Sequence, residues 1–112
     1  MDQPKIFITG KVINATSSEL LEFQLAADQL KAAGFTDVTT AIDRLANQDE
    51  SYFTKRSMNV NRSTVMLYIS TWKEDHRSLQ ELNAAQREGK KIMAVQLFLA
   101  NYKTAVHETE EA

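Results

Sequence analysis

Apolar positions along the chain fall into short blocks with two different periods. Lys5–Thr9, "KIFIT", is a β-branched and aromatic run stopped by Gly10, and it predicts a buried opening strand. "TSSE" places Thr16 as an N-cap with Glu19 three residues on, a capping-box spacing. Leu20, Phe23, Ala27 and Leu30 then recur at helical spacing, and Gly34 stands where a helix-ending glycine belongs. Phe35–Thr40, "FTDVTT", predicts a second strand from its β-branched content. Residues 41–50 read as polar loop. Ser51–Arg62 predicts a helix with Tyr52, Phe53 and Val60 turned inward. "TVMLYI", Thr64–Ile69, is apolar almost throughout, as a strand covered on both faces would be. A helix over about Asp75–Glu88, stopped by Gly89, precedes a last strand, Lys91–Val95. Leu97–Val106 closes the pattern as a helix.

Alternating strand and helix imply right-handed crossovers. The predicted fold is a three-layer, doubly wound α/β sandwich of the flavodoxin or Rossmann-like kind, with a mainly parallel sheet of four to five strands. Ile6, Ile8, Val65, Leu67, Ile69 and Ile92 are its expected core. At 112 residues the chain has room for one domain, assigned to residues 1–106, with an acidic tail over 107–112. Such a sheet binds ligands outside the carboxyl ends of its strands. Attention therefore falls on 10–14 after the first strand and on 70–81 after the third.

Composition narrows the chemistry. With no cysteine, disulfides, thiolate metal sites and cysteine nucleophiles drop out. A net charge of −2, with bases scattered among acids, gives no footprint for a nucleic acid duplex. No apolar stretch approaches a membrane span, and "MDQPKIFITG" lacks the pattern of a secretory leader, so a cytoplasmic protein is expected. His76 and His107 are not at ligand spacing, so no metal is expected. No GxGxxG, P-loop or GxSxG pattern occurs.

The candidate site is "STWKEDHRSLQE", Ser70–Glu81. Ser78 and Glu81 are three apart, so Glu81 reads as the reciprocal member of a capping box in the first helical turn. The same carboxylate, facing a cleft beside an aromatic ring, is also a candidate nucleophile toward a sugar carbon. Trp72 is either a rim residue of the core or a platform for a base. His76 is either solvated or a proton carrier. Gly10 is a turn residue by default.

Taken together, "KIFITG", "LKAAGF", a hydrophobic strand leading to Trp72, Glu81 nine positions later and "REGKKIM" resemble the nucleoside 2-deoxyribosyltransferase-like superfamily. The likeness is to its small branch designated a domain of unknown function, and it covers most of Lys5–Val95. It implies that Glu81 is the nucleophile attacking the anomeric carbon of a deoxynucleoside or its monophosphate. The glycosyl-enzyme intermediate is then resolved by water or a second base, with no cofactor. On that resemblance Trp72 would carry the base, and Gly10 and Lys11 would belong to the sugar-phosphate loop. Ser78 would line the substrate and Asp75 or His76 would supply the acid, while Arg77, where the family has a glycine, closes the pocket, pairs with Glu81 and holds it inert, or recruits a phosphate. The family habit implies a dimer or larger homo-oligomer, and the apolar "LFLANY", Leu97–Tyr102, is either its interface or packed on its own sheet. The chain departs from the pattern where a Ser-x-Gly-Ala is usual, having Asp75, Arg77 and Ser78 there. Arg56 stands roughly where the family has an aspartate, Ser63-Thr64 replaces a Cys-Asp pair, and Lys11 replaces a proline. The alternative expectation is therefore a non-catalytic member that binds a nucleotide-like ligand or a protein partner.

Overall fold

A computed structural model describes residues 4–42, 60 and 62–101. Its elements are β1 (Ile6–Thr9), α1 (Ser17–Ala32), β2 (Val38–Thr40), β3 (Val65–Tyr68), a 3-10 turn (Trp72–Glu74), α2 (His76–Arg87) and β4 (Lys91–Ala94). A helix α3 follows directly over residues 95–101. The four strands form one all-parallel sheet in the order β2-β1-β3-β4.

The chain leaves β1 toward β2 on one side of the sheet and leaves β3 toward β4 on the other. With crossovers of one hand, opposite travel puts α1 and α2 on opposite faces. Thr9 and the adjacent Gly10 show this alternation. Thr9 reaches α2, whereas a side chain at Gly10 would meet Ile69 Cγ1 at 2.5 Å and Phe23 Cζ of α1 at 3.1 Å. This is the doubly wound sandwich that the alternating pattern predicts.

Local signals set the helix ends. The Thr16 hydroxyl accepts the Glu19 N–H at 3.2 Å, and Glu19 Oε1 accepts the Thr16 N–H at 2.8 Å. The Thr16 backbone N–H first, and then the Thr16 hydroxyl, hold the Glu19 carboxyl below its ordinary range. Helix α1 closes with Gly34 N–H to Lys31 O and Phe35 N–H to Leu30 O, with Gly34 at φ 105°. Helix α2 repeats the motif with Gly89 and Lys90 donating to Gln86 O and Ala85 O.

Central β1 is buried along its whole length, as its uninterrupted apolar run requires. Met66 and Leu67 of β3, and Phe23 and Leu30 of α1, complete the centre of the core. Ile92 is a correction. It is half-buried, because β4 lies at the end of the described sheet with a neighbour on one side only. Phe98 and Leu99 of "LFLANY" are buried in their own chain, Phe98 against Phe35 with ring centroids 5.2 Å apart. Leu97 alone of the three stays open. Val60 is buried, while Tyr52, Phe53, Arg56, Tyr102, His107 and the tail lie outside the described residues.

Candidate functional site

The strand order reverses between β1 and β3, so the crevice rule points to their carboxyl ends, Thr9–Gly10 and Tyr68–Ser70. Two different environments stand there.

The first lies between β1 and α2. Asp75, at φ −120° and ψ 114°, is the N-cap of α2, and its Oδ2 accepts the Ser78 N–H at 2.8 Å and the Ser78 hydroxyl at 2.7 Å. The cap is therefore three residues earlier than the Ser78–Glu81 spacing predicts. Glu81 sits in the second turn and has no capping role. Its side chain is turned inward, and the residue is 6% exposed. Oε1 lies 2.8 Å from the Thr9 hydroxyl, and Oε2 lies 3.6 Å from Arg77 Nε. Thr9 Oγ1 is also 2.9 Å from Ser78 Oγ. A hydroxyl has one proton to give, so Thr9 serves as donor to one of these neighbours at a time. Four side chains thus form an oxygen chain, Asp75–Ser78–Thr9–Glu81, tying the start of α2 to the end of β1. Thr9 and Ser78 are both fully buried.

The second environment lies between α1 and the carboxyl ends of β3 and β4. It is a cavity of about 330 Å³, mainly apolar, whose lining includes Leu25, Ala26, Tyr68, Ile69, Trp72 and Val95. Trp72 and Tyr68 meet with ring centroids 5.0 Å apart at 49°. Glu22 of α1 also lines this cavity, and its carboxylate accepts the Ser70 N–H at 2.8 Å and the Ser70 hydroxyl at 2.6 Å. Across the mouth, Gln96 Nε2 donates to Gln29 Oε1 at 3.0 Å.

The expected site residues therefore divide. Glu81, Asp75, Ser78 and Arg77 gather at α2, while Trp72 lines the other cavity, which Glu81 does not touch. Gly10 is a close-packing position, with Ile69 and Phe23 occupying the space a side chain would need. The Lys11 backbone N–H donates to Thr71 Oγ1 at 3.0 Å, and its ammonium lies 3.9 Å from Glu19. His76 is exposed at the first position of α2, 3.1 Å from the Gln80 amide. Thr9, Glu22 and Ser70 were not singled out by sequence reasoning. Only the position of Thr9 and Ser70 at predicted strand ends marks them, and nothing local marks Glu22.

Among the described residues, no group of three or more His, Cys, Asp or Glu side chains stands together as metal ligands would. None of the described helices is long and apolar enough to cross a membrane. Compared with protein-family models, curated proteins and solved structures, the chain matches none.

Proposed function

We propose that this chain is a small-molecule binding domain of the deoxyribosyltransferase-like kind, in which the glutamate has become a structural anchor. The ligand is a flat, nucleobase-like molecule held at Trp72. One observation carries the reading: Glu81 is engaged by Thr9 and Arg77 inside the protein, apart from the cavity that Trp72 lines. A nucleophile needs an open line to its carbon. A volume of about 330 Å³ lies at the small end of ligand pockets.

The second reading keeps N-glycosidase chemistry. Glu81 stands beside the end of β1 at the strand-order reversal, where a ligand is expected in this fold. In that reaction a Glu81 oxygen bonds to the anomeric carbon, and the bond to the base breaks as the base takes up a proton. Water then releases the sugar.

A panel of nucleosides and monophosphates decides between them, with binding followed by calorimetry and base release by chromatography. Binding without release is expected. Release that Glu81→Gln abolishes while binding persists would establish the glycosidase instead. Self-association belongs to the same proposal: Leu21, Leu25 and Leu97 remain about half exposed, at 53%, 54% and 53%. Sedimentation at high micromolar concentration tests it, with dimer expected and monomer alone refuting it.

A further inference from the structure

The lining of the Trp72 cavity is asymmetric in charge. Among the described residues it presents one carboxylate, Glu22, and no lysine or arginine. Its other polar groups, Gln29, Ser70 and Gln96 among them, are neutral. The Tyr68 and Trp72 rings form a corner, 5.0 Å between centroids and tilted by 49°. Aromatic faces carry the negative side of the ring quadrupole, so a corner of two rings attracts a cation. The protein already uses this property, since the Lys73 ammonium lies 5.6 Å from the Trp72 ring centroid. Lys73 is exposed and is not among the lining residues.

The described lining of this cavity offers an anion no counter-charge. The N-terminus of α2, a natural seat for phosphate, is occupied by the carboxylate of Asp75. Arg77 is committed to Glu81. Within the cavity a phosphate would meet the Glu22 carboxylate, which the Ser70 N–H and hydroxyl fix in place.

We infer that this cavity selects a small organic cation with a flat apolar body, such as an N-alkylated heteroaromatic ring, and discriminates against phosphorylated ligands. The inference rests on the reading of the cavity as the ligand site. Glu22 supplies the charge, and the Tyr68–Trp72 corner supplies the cation–π surface. The Lys73 ammonium, 5.6 Å from the Trp72 ring centroid, is the positive charge that opposes a second cation there.

The test uses one ring system in three charge states: adenosine, 1-methyladenosine and adenosine 5′-monophosphate, titrated by calorimetry at pH 7. The cationic 1-methyladenosine is expected to bind about tenfold more tightly than adenosine, and the monophosphate more weakly than both. Glu22→Gln should remove most of the cation's margin, read as the ratio of 1-methyladenosine to adenosine affinity within the same variant. Because Glu22 also holds the Ser70 turn, Lys73→Met serves as the second variant. Removing the resident ammonium should tighten 1-methyladenosine binding by about twofold or more. The inference is overturned, with the cavity still a ligand site, if the monophosphate matches the cation. The same holds if folded Glu22→Gln keeps the full margin, or if Lys73→Met leaves cation affinity unchanged. If none of the three binds at millimolar concentration, the ligand-site reading falls and this inference falls with it.

Discussion

The two environments at the carboxyl ends of the sheet are built on opposite principles. Beside α2, Glu81, Thr9 and Ser78 are polar and buried, bonded to one another and to half-buried Asp75. Beside α1, Trp72 and Tyr68 border about 330 Å³ of mainly apolar space. A satisfied polar network in a low-dielectric setting rigidifies and specifies a fold. An apolar hollow with a few polar groups at its edge is how proteins hold small molecules. Nine positions of sequence separate Trp72 from Glu81, and the fold sends them to different tasks. The helix start at Asp75 makes the division, because the chain turns there from the 3-10 turn into α2 and carries Glu81 under Thr9.

The sharpest way to break this comparison is to remove the anchor. Glu81→Ala leaves the Thr9 hydroxyl and the Arg77 guanidinium facing a void. Urea unfolding should show a loss of about 2–4 kcal/mol, at or below the usual range for a broken buried pair because Arg77 is about one-third exposed. A loss under about 0.5 kcal/mol would mean that the carboxylate is not an anchor. Gly10→Ala probes the wall between the two environments. A methyl 2.5 Å from Ile69 Cγ1 must displace that buried side chain, and a destabilisation of about 1–3 kcal/mol is expected in the same assay.

On the other side, Trp72→Ala should abolish ligand binding while costing about 1–3 kcal/mol of stability, from the loss of its half-buried apolar surface and of the Tyr68 pair. Calorimetry and urea unfolding on the same samples separate the two effects. A Trp72→Ala protein that still binds would move the ligand away from the cavity. The smallest effect serves as a control at α1. Glu19 has its folded pKa lowered by the Thr16 bonds, so its contribution is fully present above the unfolded value and is lost as pH falls through the folded one. Glu19→Gln should flatten that part of the acid stability profile and leave the slope near neutrality unchanged, as acid titration followed by circular dichroism would show.

Much of the scaffold was legible because it is written in local chemistry. Thr16 with Glu19, Gly34 and Gly89 mark helix ends through bonds made within a few residues, and the apolar runs of β1 and β3 need only their own composition. The cap of α2 was misread because two spacings overlap: Asp75-x-x-Ser78 and Ser78-x-x-Glu81 both fit, and only the backbone at Asp75 decides. Only the Arg77 side of the environment of Glu81 was legible, one helical turn away, since its other partner Thr9 is 72 residues distant. Glu22 is hidden for the same reason: its bonds to Ser70 span 48 positions on a helix face that reads as solvated. The apolar "LFLANY" segment suggested an interface by composition, yet Phe98 and Leu99 go to the chain's own core because Phe35 waits there.

The strand order has a consequence for how the chain is made. The strand at the sheet's centre is the first to emerge, but one of its two neighbours is encoded some 59 residues later, as the Lys5–Thr64 bond shows. During synthesis at about 5–20 residues per second, β1, α1 and β2 are complete for about one to five seconds before β3 appears. Through that interval one edge of "IFIT" offers unpaired N–H and C=O groups, the template on which other chains add. Pairing β1 with β3 brings together residues some 59 positions apart, which slows the step further. Nascent chains of this protein are thus most vulnerable to aggregation in a defined window of translation, after β2 and before β3 has cleared the ribosome.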